Sequence, residues 1–324
     1  MKLIRRILIL SSMLTVLASY AKAEWETVDT IGEPVARHEA AFIGFDGEFY
    51  LLGGRGIRPV SIYSPVTNTW RKGTSPPLEV HHFQPVVYGD RILMICAFTG
   101  KYPGETPIER VIAYVPASDT WVWGAEIPAE RRRGAAGVTV VDGKIHIVGG
   151  IVNGHIGGYV NWFDAFDPET NTWTQLPDAP HQRDHFQSVY LNGKLYAAGG
   201  RHSSQGTGET FQLVVPKVDV FDFASGSWSS LAEPLPTPRA GSFTMTLKDS
   251  VVVLGGESGV QKIAHDEVEA YDTKKEEWYK LPDLQQGRHG TGAFIFNSHI
   301  YTCSDCGNRG GSPELTSMER FKVK

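Results

Sequence analysis

Residues 181 to 203 read HQRDHFQSVYLNGKLYAAGGRHS. Alternating apolar positions lead to Asn192-Gly193, a dipeptide that tolerates positive φ at both residues and so favours a tight turn, and a second apolar run returns to Gly199-Gly200. The segment reads as a β-hairpin. Because antiparallel strands bring the start of one beside the end of the other, Arg183, Asp184 and His185 are expected at the same edge as Arg201 and His202. Five polar side chains gathered at one hairpin edge serve either a ligand or the fold.

The stretch is one copy of a repeat. Glycine pairs recur at Gly53-Gly54, Gly149-Gly150, Gly199-Gly200 and Gly255-Gly256, each followed by an aromatic residue ending a β-like run (Tyr63, Phe166, Phe221, Tyr271) and then by a tryptophan (Trp70, Trp173, Trp228, Trp278). Tyr114 and Trp121 continue the series, and Trp25 begins it. From Trp25 to Trp278 the spacings are 45, 51, 52, 55 and 50 residues, enough for four short antiparallel strands and their turns, the content of a propeller blade. Six tryptophans mark six blades. The 46 residues after Trp278 hold three strands and no further tryptophan, so the segment around Trp25 is expected to supply the outer strand of the last blade and remove the open edge between first and last.

This pattern of double glycine, Tyr or Phe, then Trp at about 50-residue spacing resembles the kelch repeat, over essentially all of the chain after residue 23. The resemblance implies an all-β, six-bladed propeller forming a single domain from 24 to 324. It implies little about function, because the family includes actin-binding and adaptor scaffolds, galactose-oxidase-like enzymes, plant specifier proteins and a bacterial sialic acid mutarotase.

Composition narrows the classes. The chain has 324 residues, 41% hydrophobic and 21% charged, which suits a packed globular domain. Residues 1 to 23 combine Lys2, Arg5 and Arg6, an apolar run from Ile7 to Leu17 and an Ala21-Lys22-Ala23 site, the pattern of a cleaved signal peptide and of a periplasmic or secreted protein. The apolar run is shorter than the roughly 20 residues that span a bilayer. Cleavage would take the formal charge from −5 to −9, which argues against a nucleic-acid partner. Of the three cysteines, Cys303 and Cys306 are near enough in sequence for a tight disulfide, leaving Cys96 single.

Comparing the blades with one another separates what each needs from what one adds. Sixteen residues before the first glycine of each pair stands Arg37, Arg133, Arg183 or Arg239; the same count from Ser304 gives Arg288, and from Cys96 in blade 2 it gives Val80. A fixed offset in five blades favours an architectural role, with Arg183 also kept as a ligand candidate. The blade-specific residues are the better ligand candidates: His38, Arg55, His81, His82, His185, Arg201, His202, Glu257 and His289, with Glu39, Lys101, Tyr102, His155 and Arg309 nearby in the loops. By the hairpin geometry they meet on one face as a His- and Arg-rich funnel.

Such a funnel suits an anionic or carbohydrate-type ligand, clamped by Arg55 and Arg201 and served by imidazoles and by Glu257 or Glu39 in epimerase, mutarotase or lyase-type acid-base chemistry. Whether any reaction occurs stays open, and no catalytic residue, metal set or cofactor is assigned. The copper site of galactose-oxidase-like relatives and the Glu-x-x-x-Asp-x-x-x-His iron set of plant specifiers have no match in this sequence. The alternative is a non-enzymatic scaffold for a protein partner, for which Phe83, Phe98, Tyr102, Tyr159 and Trp162 are the candidate contacts.

Overall fold

The computed structural model describes residues 24 to 323; the signal-peptide reading falls on residues outside this range. The described residues form six four-stranded antiparallel sheets, with a small two-stranded ribbon, Phe98–Thr99 with Thr106–Pro107, added to the second. In blade 1 the strands run Ala40–Phe45, Glu48–Gly53, Ser61–Ser64 and Thr69–Lys72 from the channel outward. Blades 2 to 5 repeat this order. Blade 6 takes Ala293–Phe296, His299–Cys306 and Glu314–Lys322 from the C-terminus and Glu26–Thr27 from the N-terminus, with Glu26 opposite Arg320. The expected ring closure is present. Among the described residues no helix is long and apolar enough to cross a membrane.

Each repeated residue has a visible task. The aromatic and tryptophan of a blade face each other across its third and outer strands, as in Phe166 with Trp173 and Phe221 with Trp228. The indole then bonds the preceding blade: Trp121 Nε1 donates to the Thr74 carbonyl, Trp173 to Glu126, Trp228 to Pro177, Trp278 to Glu233 and Trp25 to Pro282, at 2.7–3.4 Å. These bonds stitch one blade to the next. At the closing seam, Trp70 Nε1 is buried without a partner.

The glycine pairs turn the chain where space is least. Gly149 has φ +66°, and a Cβ there would stand 2.6 Å from the Arg183 carbonyl of the next blade. In blade 6 Ser304 and Asp305 adopt the same left-handed backbone, φ 64° and 71°, and the Asp305 carboxylate accepts from the Glu39, Ala40 and Cys306 amides, holding blade 6 to blade 1. Cys303, Cys306 and Cys96 are buried free thiols, so the disulfide drawn from their spacing is absent; the left-handed Ser304-Asp305 turn separates the pair, and Cys303 packs with Tyr301 and Met318.

The five repeated arginines are buried, each 0–1% exposed, and four of them donate to the carbonyl sixteen residues ahead at 2.5–3.0 Å: Gly53, Gly149, Gly199 and Gly255. Arg288 makes the same contact with Ser304 at 3.4 Å. Their second partner comes from the third strand, two residues before the aromatic: Ser61, Asp164, Asp219, Glu269 and Glu319. Blade 2 replaces both members, with Val80 for the arginine and Ile112 for the acid, leaving no buried charge unmatched.

Candidate functional site

Strand alternation places the loops between second and third strands, and the links between blades, on one face of the disc. Tight turns such as Asp46-Gly47 and Asn192-Gly193, both with positive φ, occupy the other. A cavity of about 400 Å3 opens on the loop face. All six blades line it: His38, Glu39 and Arg55 from blade 1, Glu79 and Tyr102 from blade 2, His155 from blade 3, Arg201 and Phe211 from blade 4, Glu257 from blade 5 and His289 from blade 6. His82 and His185 lie deeper, lining with Glu39 a smaller cavity of about 50 Å3 in the channel.

Below them two glutamines bridge the channel. Gln84 of blade 2 accepts from the Val138 and Ser188 amides and donates to the Ser188 carbonyl, while Gln187 of blade 4 accepts from the Thr244 amide and donates to the Thr291 carbonyl. The cavity therefore has a floor.

Three of the predicted site residues do not reach it. Arg183 is fully buried, held by the Ala197 and Gly199 carbonyls and by Asp219, and serves the architecture. His81 sits behind His82, spent on the Gly100 carbonyl and the His82 ring. His202 stacks on Tyr159 at 4.2 Å and meets the Gln182 carbonyl, outside the cavity wall. The remaining seven, His38, Arg55, His82, His185, Arg201, Glu257 and His289, line one or other of the two cavities.

The expected clamp is already occupied. Arg55 lies between the Glu39 and Glu105 carboxylates, and Arg201 bonds Glu257 and Ser203, so neither guanidinium is free to receive an anion alone. Sequence order conceals this, because the Glu105 and Glu257 carboxylates stand 50 and 56 residues from their guanidiniums, in other blades.

Burial and these pairs fix the charge states. Burial pulls His82 and His81 down to about 3, and His185 well below the imidazole range, so all three are neutral. Burial pushes Glu257 the other way, but His289 and Arg201 outweigh it and hold the carboxyl down at about 2. Burial likewise opposes charge on His289, yet Glu257 at 3.5 Å and Asp305 raise it above its ordinary value. Glu39 stays ionised against burial beside His82 and Arg55.

Of the aromatics considered as protein contacts, Phe83 and Phe98 are buried, Tyr159 covers His202 and Trp162 covers Arg131; Tyr102 is exposed. The exposed apolar residues of the loop face are Ile57, Ile156, Val260 and Ile263, which carry no repeat signal in the sequence.

The KLHDC2/KLHL20/DRC7 Kelch-repeats domain model matches residues 119–304. Kelch-like protein terF of Aspergillus terreus is 29% identical over 294 residues, covering 85% of this chain and 61% of that protein. Beta-scruin of Limulus polyphemus is 28% identical over 290 residues, covering 83% of this chain and 30% of that protein. The chain thus spans less than two thirds of the length of these relatives. A solved structure titled "Structure of YjhT" superposes with a TM-score of 0.74 at 16% identity, covering 89% of this chain and 95% of that one, a likeness of fold. With its repeat, its six closed blades and a domain model matching more than half its length, this chain belongs to the kelch-repeat propeller family.

Proposed function

We propose that the chain is exported and binds a small polar ligand of the carbohydrate class in the loop-face cavity. The observation that carries this reading is the convergence of all six blades on one floored cavity of about 400 Å3, a size suited to a small molecule. Its wall sets Arg55, between Glu39 and Glu105, and Arg201, on Glu257, beside the Tyr102 and Phe211 rings. Hydroxyl groups can both donate to the carboxylates and accept from the guanidiniums, and the half-exposed Tyr102 ring offers a flat face to a sugar. A sugar bearing a carboxylate is retained in this class, with Lys101 on the cavity wall as its counter-charge.

Calorimetric titration of the chain from residue 24 with neutral hexoses, uronates, a sialate and sulfated sugars tests the reading. A member of the panel is expected to bind, and Tyr102→Ala to weaken it about tenfold, near 1.4 kcal/mol, with little change in melting temperature because Tyr102 is half exposed. No binding across the panel would overturn it. Mass measurement of the protein recovered from the envelope or medium tests export, with a start near Glu24 as the expected result.

A second reading rests on a separate observation. Ile57, Tyr102, Ile156, Val260 and Ile263 are 48–86% exposed on the loops around the cavity mouth, an apolar rim that a protein partner would cover. Stoichiometric capture of one protein, lost in Val260→Asp with Ile263→Asp, would favour this reading over the sugar.

A further inference from the structure

Where the cavity meets the channel, three imidazoles from three blades converge. The rings of His82, His155 and His185 touch pairwise, with centroids 4.7–4.9 Å apart, and one ring nitrogen of each lies within 4.8 Å of the other two. Two of them are oriented by buried carboxylates: His155 Nδ1 on Glu105 at 3.0 Å and His185 Nδ1 on Asp184. Their Nε2 atoms, opposite on the ring, are left for something else. His185 Nε2 is buried and has no hydrogen-bond partner.

A carboxylate and a fourth imidazole adjoin the cluster. His81 Nε2 faces the Gly100 carbonyl at 3.2 Å, His81 Nδ1 faces His82 Nδ1 at 2.6 Å, and His82 Nε2 faces Glu39 Oε1 at 2.8 Å. Glu39 thus stands directly at His82 Nε2, and the other nitrogen of that ring is held by His81.

We infer that His82, His155 and His185 bind a divalent transition-metal ion at the floor of the cavity, with Glu39 as the adjoining carboxylate ligand. The ion supplies a partner for His185 Nε2 and takes both His82 Nε2 and Glu39 Oε1, which already stand side by side. Three imidazoles and one carboxylate form a donor set for zinc and its first-row neighbours rather than for magnesium or calcium. Bonds of about 2.0–2.1 Å place cis ligand atoms roughly 2.9–3.3 Å apart, close to the 2.8 Å between His82 Nε2 and Glu39 Oε1. The other nitrogens close in by side-chain rotation. Glu105 and Asp184 then act as the outer carboxylates that fix the tautomer of a liganding histidine. His81 orients His82 in the same way. The cavity side, where Glu39 and His155 are reached from the loop face, leaves the ion open to a water or to a ligand hydroxyl.

The inference stands apart from the carbohydrate reading and is tested without a sugar. The chain from residue 24, free of any histidine tag and stripped with a chelator, is titrated with zinc by calorimetry and with cobalt(II) by visible spectroscopy. One equivalent of zinc is expected to bind and to raise the melting temperature. Replacing all three histidines by asparagine should abolish the event, Glu105→Gln should weaken it about 10–100-fold, and His299→Asn, outside the cluster, should leave it unchanged. Bound cobalt should show the intensified ligand-field bands of a nitrogen-rich site of low coordination number. This readout needs no variant and decides the matter if the triple variant fails to fold. A spectrum equal to that of the aqueous cobalt ion, no stoichiometric zinc binding, or an isotherm that survives the triple replacement would overturn the inference.

Discussion

Buried guanidiniums of the repeat act with their acids as units. Arg239 donates to the Gly255 carbonyl and pairs with Glu269 at 2.6 Å, with both groups buried. Removing one member strands the other, so Arg239→Val is expected to cost about 3–5 kcal/mol in urea denaturation. Adding Glu269→Ile should cost less than the sum of the two single changes, because blade 2 already carries the apolar combination Val80 and Ile112 at the same places. Additive costs would show that the pair does not act as a unit. Arg201→Ala belongs with these stability-lowering changes, since Arg201 is buried on Glu257.

The Glu257–His289 pair gives stability a pH signature. Glu257 is held at about 2, below its ordinary value near 4.5, so its contribution is complete above about 4.5 and is lost as pH falls toward 2. His289 is raised above 6.5, so its contribution is complete below that and fades as pH rises through its folded value. The groups facing the pair are Arg201, Asp305 and the Asn308 and Gly310 carbonyls. The difference in denaturation midpoint between the wild type and Glu257→Gln is therefore expected to peak between about pH 4.5 and 6.5 and to shrink toward pH 3 and pH 9. A difference that is flat with pH would sink this account.

At the level of strands and loops, what the sequence made legible was what the repeat forces. The glycine pair, the aromatic and the tryptophan recur because each blade must turn in a crowded place and bond its neighbour, so fixed offsets reported blades, ring closure and the arginine architecture. The acids on the third strands carry an equally regular offset, two residues before each aromatic, and a comparison of blades on that strand would have found them. The site was legible only to the level of which loops meet. Which guanidinium meets which carboxylate depends on contacts between blades, as with Arg55 and Glu105 or Arg201 and Glu257, and no spacing within one blade encodes that. His155 is harder still, because it stands in the long blade 3 loop and reaches the channel only as that loop packs on Pro103 and Glu105. Trp25 shows the leverage of a short element. The strand it precedes, Glu26–Thr27, has two residues, yet the indole is buried against Phe321 and bonded to Pro282, and Trp25→Ala is expected to cost about 3–5 kcal/mol of stability. A loss below 1 kcal/mol would mean the ring closes without it.

For the disc as a whole, deleting residues 24 to 29 makes the nine-residue strand Glu314–Lys322 the outer edge of blade 6, where the other blades end on strands of four to seven residues. The truncated chain is expected to self-associate in size-exclusion chromatography while the full chain from residue 24 stays at one size, because an open edge templates pairing with another copy. A monomeric truncation would show that the blade 6 edge is protected in some other way.

The pairing of Glu26 with Arg320 joins the earliest-made part of the described chain to the last. During synthesis no partial product can finish its circle: five blades can form in succession while the segment near Trp25 waits, unpaired, for the final nine-residue strand to emerge. Completion is thus a length check. A chain that ends early, by a premature stop or a proteolytic clip before residue 314, keeps a gap in its circumference however well its other blades have formed, and it offers that gap to quality-control proteases.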